Sequence, residues 1–180
     1  MSKITLGTHV LKIDRLTPFA QWDIPGSCLN SSIGQIYWQD DRSLTLTEID
    51  IDAIKLVTML KPSEYGINGE ERIRRIKEAG YTMLDLRIFF TICQNRMMAE
   101  RVLRRVKTRE PKPRNLVYES GQNKPCVCFD GTIYRIGNDP ESTVAFGPPF
   151  VPGGPVHTKS YPTKWGPWGP EAPSAVLIPK

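Results

Sequence analysis

Between Gly147 and Pro179 the chain carries nine prolines and five glycines in 33 residues, and no other feature limits its fold so tightly. Proline has no amide hydrogen to give to a ladder, and glycine favours irregular backbone. The stretch therefore predicts neither a regular helix nor a central strand. It reads as a Pro/Gly/Trp-rich extension, 147–180, following a single α+β domain over residues 1–146. Hydrophobic residues make up 39% of the 180-residue chain, below the usual share for a compact domain, and the shortfall lies in this extension.

Within 1–146 the patterns predict short strands around a helical unit at 47–108. Residues 3–13 alternate apolar and polar positions around Gly7, as a strand bent at the glycine does. Ile36, Tyr37 and Trp38 form a β-prone run that pairs with Leu44–Leu46 across QDDRS. Thr47 is placed to cap a first helix, Glu48–Leu60, with Ile49, Ala53, Ile54, Val57 and Leu60 inward and Pro62 as its stop. A second helix runs from about Glu70 to Ala79. Its Ile73 and Ile76 face inward, Arg72, Arg74, Arg75 and Lys77 face outward, and Gly80 ends it. Thr82 caps a third, Met83–Lys107, with Ile88, Ile92, Ala99, Leu103 and Val106 on one face. Phe90, Met97 and Met98 interrupt its polar face and need a second packing partner. Asp130-Gly131 between β-prone runs predicts a hairpin over 125–136, and Asn138-Asp139-Pro140 another turn.

Charge is concentrated at the end of the third helix. From Arg96 to Arg114 there are eight Lys/Arg against two Glu, a local +6 in a chain whose net charge is +5. Such a cluster suits a phosphate backbone or an acidic protein surface. Arg101, Arg104, Arg105, Lys107 and Arg109 are the candidate contacts. Trp165 and Trp168, large rigid side chains among prolines, are candidate apolar anchors for a partner. Extended proline-rich backbone has little entropy left to lose on docking.

Catalytic chemistry finds no comparable signal. The two histidines, His9 and His157, lie in unrelated segments, and no nucleophile elbow or phosphate loop is present. Asp40-Asp41 reads as a polar turn, and Glu48, Asp50 and Asp52 as the acidic start of a helix. Cys126 and Cys128 share one face of a strand, but their spacing is not that of a zinc knuckle. They read as small buried residues inside the hairpin. No catalytic residue, cofactor or metal site is expected. The first 20 residues lack a charged start followed by an apolar run, and no apolar stretch reaches a bilayer's span. The four cysteines then suit reduced thiols in an intracellular setting, cytoplasmic or virion-associated.

Three pieces, GEERIRRIKEAGYTMLDLRIFFTICQN, CFDGTIYR and W-x-x-W followed by APSAVL, resemble a group of short uncharacterised bacterial proteins. There an Arg-rich helix leads into an L-D-x-R-x-F helix, an F-x-G-T strand and a Trp-rich segment ending in P-S-A-V-L. The matching residues are Leu84–Phe89, Phe129–Thr132 and Pro173–Leu177. The group has no assigned activity, so the resemblance implies organisation alone.

The expectation is thus a non-catalytic interaction or structural subunit of a larger assembly, of the kind found in virions or ribonucleoproteins. A protein partner or a homo-oligomeric assembly is the expected companion. The alternative is a free-standing nucleic-acid-binding regulator that uses helix 83–107.

Overall fold

The computed structural model describes residues 9–17, 36–106, 126–133, 169 and 172–179, and the backbone alone at 134, 142–147 and 157–162. The chain is α+β, as its patterning predicts. In order the elements are β1 (Val10–Lys12), β2 (Ile36–Gln39), α1 (Asp41–Leu44), β3 (Glu48–Asp50), β4 (Lys55–Val57), α2 (Gly69–Glu78), β5 (Thr82–Met83), α3 (Leu86–Gln94), α4 (Arg96–Leu103), β6 (Val127–Tyr134), β7 (Ser142–Gly147), β8 (His157–Pro162) and β9 (Ser174–Leu177). Strands β1 and β3 form a separate antiparallel pair, and the other seven strands form one sheet.

The sheet is organised by β9. On one side β4 pairs with it antiparallel, Leu56 opposite Ala175. On the other, β5 pairs antiparallel at Met83–Val176, and β6 meets it parallel at Cys128–Ser174. Beyond β6 lie β7 and then β8. The extension 147–180 thus supplies an inner strand, against expectation. Its prolines do not interrupt the ladder, because Pro173 and Pro179 flank Ser174–Leu177 rather than lie within it.

Side chains alternate across this sheet, so two cores form. Leu56, Leu84, Val127, Phe129 and Ala175 belong to the core containing α3 and α4. Val57, Met83 and Val176 belong to the core containing Ile73 and Ile76 of α2, joined by Ile133 beyond the register shift in β6. The period of two along each strand puts neighbours on opposite faces, and helices cover both. Phe89 anchors the larger core with edge-on contacts to Phe90 and Phe129, ring centres 5.5 and 5.3 Å apart. Burying a side chain of this kind contributes roughly 1.5–3 kcal/mol.

Several local expectations fail for identifiable reasons. Residues 48–60 are not a helix but β3, a turn at 51–53, and β4. The run Glu48-Ile49-Asp50-Ile51-Asp52 alternates strictly, and buried Ile49 and Ile51 follow the strand period rather than the helical one. Residues 41–44 form a helical turn capped by Asp40, so β2 pairs with β6 and not with Leu44–Leu46. Asp130-Gly131 makes no hairpin. Strand β6 runs through it, because Asp130 is tied down by a buried partner and Gly131 lies against the 83–84 backbone. A Cβ on Gly131 would sit 2.3 Å from the Met83 carbonyl oxygen.

The helices stop where capping chemistry dictates. Asn68 accepts from the Glu71 amide at the start of α2. At its end Gly80 takes φ +71°, with the Gly80 amide donating to Lys77 and the Tyr81 amide to Ile76. The expected single helix over 83–107 is two, α3 and α4. Asp85, not Thr82, caps α3 through the Arg87 and Ile88 amides. Asn95, in extended conformation, ends α3 and caps α4. Of the three residues that interrupt the polar face, Phe90 is buried and Met98 packs on the core, while Met97 remains 75% exposed. Residues 3–8, the turn at 138–140 and Cys28 lie outside the described residues.

Candidate functional site

The basic face of α4 is the first candidate. Arg101 places Nε and an Nη on the two oxygens of Asp52, at 2.8 and 2.9 Å, and His9 Nδ1 lies 2.9 Å from the same carboxylate. The hydrogen bond from Arg101, aided by His9, holds the Asp52 carboxyl at about 2. Arg105 reaches inward instead, donating to the carbonyls of Ile54 at 2.9 Å and Ile51 at 3.1 Å. Partial burial lowers the pKa of this guanidinium from its ordinary value. Two of the candidate contacts therefore fasten α4 to the turn between β3 and β4. The third, Arg104, is 80% exposed and makes a long 3.5 Å contact with Glu100. Met97, Arg101 and Arg104 fall at i, i+4 and i+7, so they form one stripe along α4. Lys107, Arg109, Trp165 and Trp168 lie outside the described residues.

The second candidate is a buried polar node on the α2 face of the sheet. Arg72, expected outward, is 2% exposed. Its Nη atoms donate to the Ala172 carbonyl at 2.9 Å and to Asp130 at 3.0 Å. Asp130 also accepts the Ser174 hydroxyl. Arg72 stays charged: the Asp130 carboxylate raises its pKa, against burial, which is the largest influence and acts the other way. Arg72 lies four residues before Ile76, on the same helical face, and that spacing was the signal for its burial.

Cys126 and Cys128 border this node and are buried with Ala172. Cys128 shares the face of β6 that carries Asp130, as residues two apart on a strand must, and Cys126 lies just before the strand. The Cys128 thiol has its pKa lowered, first by hydrogen bonding with the Cys126 thiol, against burial, and also by the Arg72 guanidinium. Cys93, in an apolar setting, is pushed up by burial alone.

A third network holds the segment between β5 and α3. Asp40 accepts from the Met83 amide, and Ser43 Oγ donates to Asp85. Arg15 donates to Asp85 at 2.8 Å, and Thr132 Oγ1 accepts from the Leu86 amide. The pieces L-D-L-R-I-F, F-D-G-T and P-S-A-V-L therefore meet in space. The Gly131 amide donates to the Leu84 carbonyl, the Leu84 amide to Ala175, and the Cys128 amide to Pro173. These pieces form the hydrogen-bonded junction of β5, β6 and β9.

Among the described residues no three His, Cys, Asp or Glu side chains gather closely enough to hold a metal ion. No helix among them is long and apolar enough to cross a membrane. Comparison with protein-family models, with curated proteins and with solved structures finds no match.

Proposed function

We propose that the protein is a non-catalytic interaction or structural subunit of a larger assembly, contacting a protein partner through the outer stripe of α4 and through Trp165 and Trp168. The observation that carries this reading is Met97, a large apolar side chain 75% exposed in the same stripe as Arg104. Methionine and arginine are both enriched where proteins meet. A partner surface with an apolar pocket rimmed by carboxylates complements such a stripe. Tracking a nucleic-acid backbone needs several cations turned outward, and Arg101 and Arg105 are engaged by acceptors within the chain.

The test is the native mass of gently purified protein at low salt, with protein and nucleic-acid absorbance recorded on the same peak. A particle larger than the 20.4 kDa chain, free of nucleic acid and reduced to monomer by Met97→Glu with Arg104→Glu, supports the reading. A monomer, or a particle indifferent to both those changes and Trp165→Ala with Trp168→Ala, removes it. Nucleic acid in the peak, lost steeply with salt, would instead favour the nucleic-acid-binding regulator.

A further inference from the structure

The polar node contains a pair of thiols that the assembly reading does not use. Cys126 precedes β6 and Cys128 is its second residue, so both project to the α2 side. Two residues of extended chain span about 6.7 Å. That is close to the upper end of the roughly 4.4–6.8 Å between α-carbons that a disulfide bridges. Cys126 lies just before the strand, whose first residue is Val127. The hydrogen bond with Cys126, and then the positive charge of Arg72, lower the pKa of the Cys128 thiol against burial and the Asp130 carboxylate, and a neighbouring cation favours a thiolate. Cys126 is 7% exposed and Cys128 1%, so Cys126 is the more open end of the cluster. Cys93 has neither a thiol neighbour nor a cation among the influences on it.

We propose that Cys126 and Cys128 form a redox dithiol that closes to a disulfide when the protein meets a peroxide. A thiolate of the pair attacks one oxygen of hydrogen peroxide. The O–O bond breaks, a sulfenic acid forms, and the departing hydroxide takes up a proton to leave as water. The second thiol then attacks the sulfenic sulfur. The S–S bond forms, the S–O bond breaks, and a second water leaves. Two thiols give up two electrons and two protons in all, and the peroxide accepts them. Closure shortens the chain at the entrance to β6, where the Cys128 amide donates to Pro173 and Cys128 pairs with Ser174. The bridge therefore bears on the joint between β6 and β9.

The experiment treats full-length protein with hydrogen peroxide, quenches it, unfolds it and alkylates the remaining thiols before peptide mapping. The expected result is a Cys126–Cys128 peptide lighter by two hydrogens and closed to alkylation, restored by dithiothreitol, while Cys93 alkylates fully. Bridging is expected to run several-fold faster in the native protein than in the urea-unfolded chain, because only the native fold holds Arg72 beside the pair. In Cys126→Ser the reaction should stop at a sulfenic acid that dimedone traps on Cys128. Both thiols still open to alkylation, or bridging no faster than in the unfolded chain, overturns the proposal. The rate comparison needs only the unaltered protein, so it decides the matter even if the variant fails to fold.

Discussion

Two arginine-bearing helices, α2 and α4, read alike along the chain and do opposite things. In α2 one guanidinium crosses into the interior, where it joins a helix to Asp130 and to the Ala172 carbonyl. At α4 no guanidinium crosses into the core in this way. Arg101 and Arg105 there fasten the helix to a turn, and Arg104 extends into solvent. Charge density is the same kind of signal in both, so it does not tell an internal clamp from an external contact. Register against the apolar positions does. Arg72 shares the face of Ile76, whereas Arg101 and Arg104 share the face of Met97.

The contrast breaks most sharply at Arg72. Arg72→Leu leaves the Asp130 carboxylate buried without its cation and should cost about 3–5 kcal/mol in urea unfolding. Arg72→Met together with Asp130→Asn should recover more than half of that, because the buried charge goes with its partner. Failure to recover would mean that the hydrogen bond to Ala172, not the ion pair, is the main fastening. Next in size is Gly131→Ala, whose added carbon meets the Met83 and Leu84 backbone. A loss near the upper end of roughly 1–3 kcal/mol is expected.

On α4 the effects should be smaller and should separate. Arg105→Ala removes two hydrogen bonds to carbonyls and should cost about 1–2 kcal/mol. Arg104→Ala should change stability by less than about 0.5 kcal/mol while weakening the proposed partner contact. Equal costs for the two would erase the distinction between clamp and contact. The ion pairs along α2 should matter least, and through acid. Arg75 holds Glu64, and Arg74 and Arg75 hold Glu71, each carboxyl lowered from 4.5 to about 2. Above about 4.5 both folded and unfolded chains are ionised there and the full contribution is present. As pH falls from 4.5 towards 2 the unfolded chain takes up protons first, so stability declines. Equilibrium unfolding of Glu64→Gln and Glu71→Gln should show a shallower acid slope than the parent, with a small difference because solvent screens these pairs.

Much of the fold was legible, and the failures share a cause. The α2 boundaries, its glycine stop, and the inward Ile73, Ile76, Ile88 and Ile92 follow from local pattern. What local pattern misjudged was decided by distant partners. Asp130-Gly131 signals a turn by itself, yet here the aspartate meets a helix 58 residues away and the glycine accommodates another backbone. The prolines after Gly147 argued against an inner strand, and the four residues Ser174–Leu177 that form one lie between two of them. Residues 48–52 carry the strand period, and the helical spacing of Ile49, Ala53, Ile54 and Val57 overlaps it. Of the candidate contacts, the sequence marked Arg101, Arg104 and Arg105 together, but only geometry separates the two fastened to the turn between β3 and β4 from the one that extends into solvent.

The position of β9 also has a consequence in time. Strands β4, β5 and β6 share β9 as a neighbour, and Val176 lies 93 residues beyond Met83, its partner across the ladder. A ribosome releasing this chain exposes Phe129, Val127 and Leu84 well before the strand that joins them has been made. Pairings so distant in sequence form slowly, and the half-built sheet presents unpaired edges and apolar side chains while it waits. The nascent chain is therefore expected to depend on chaperones, with a vulnerable interval set by the distance from Cys128 to Ser174.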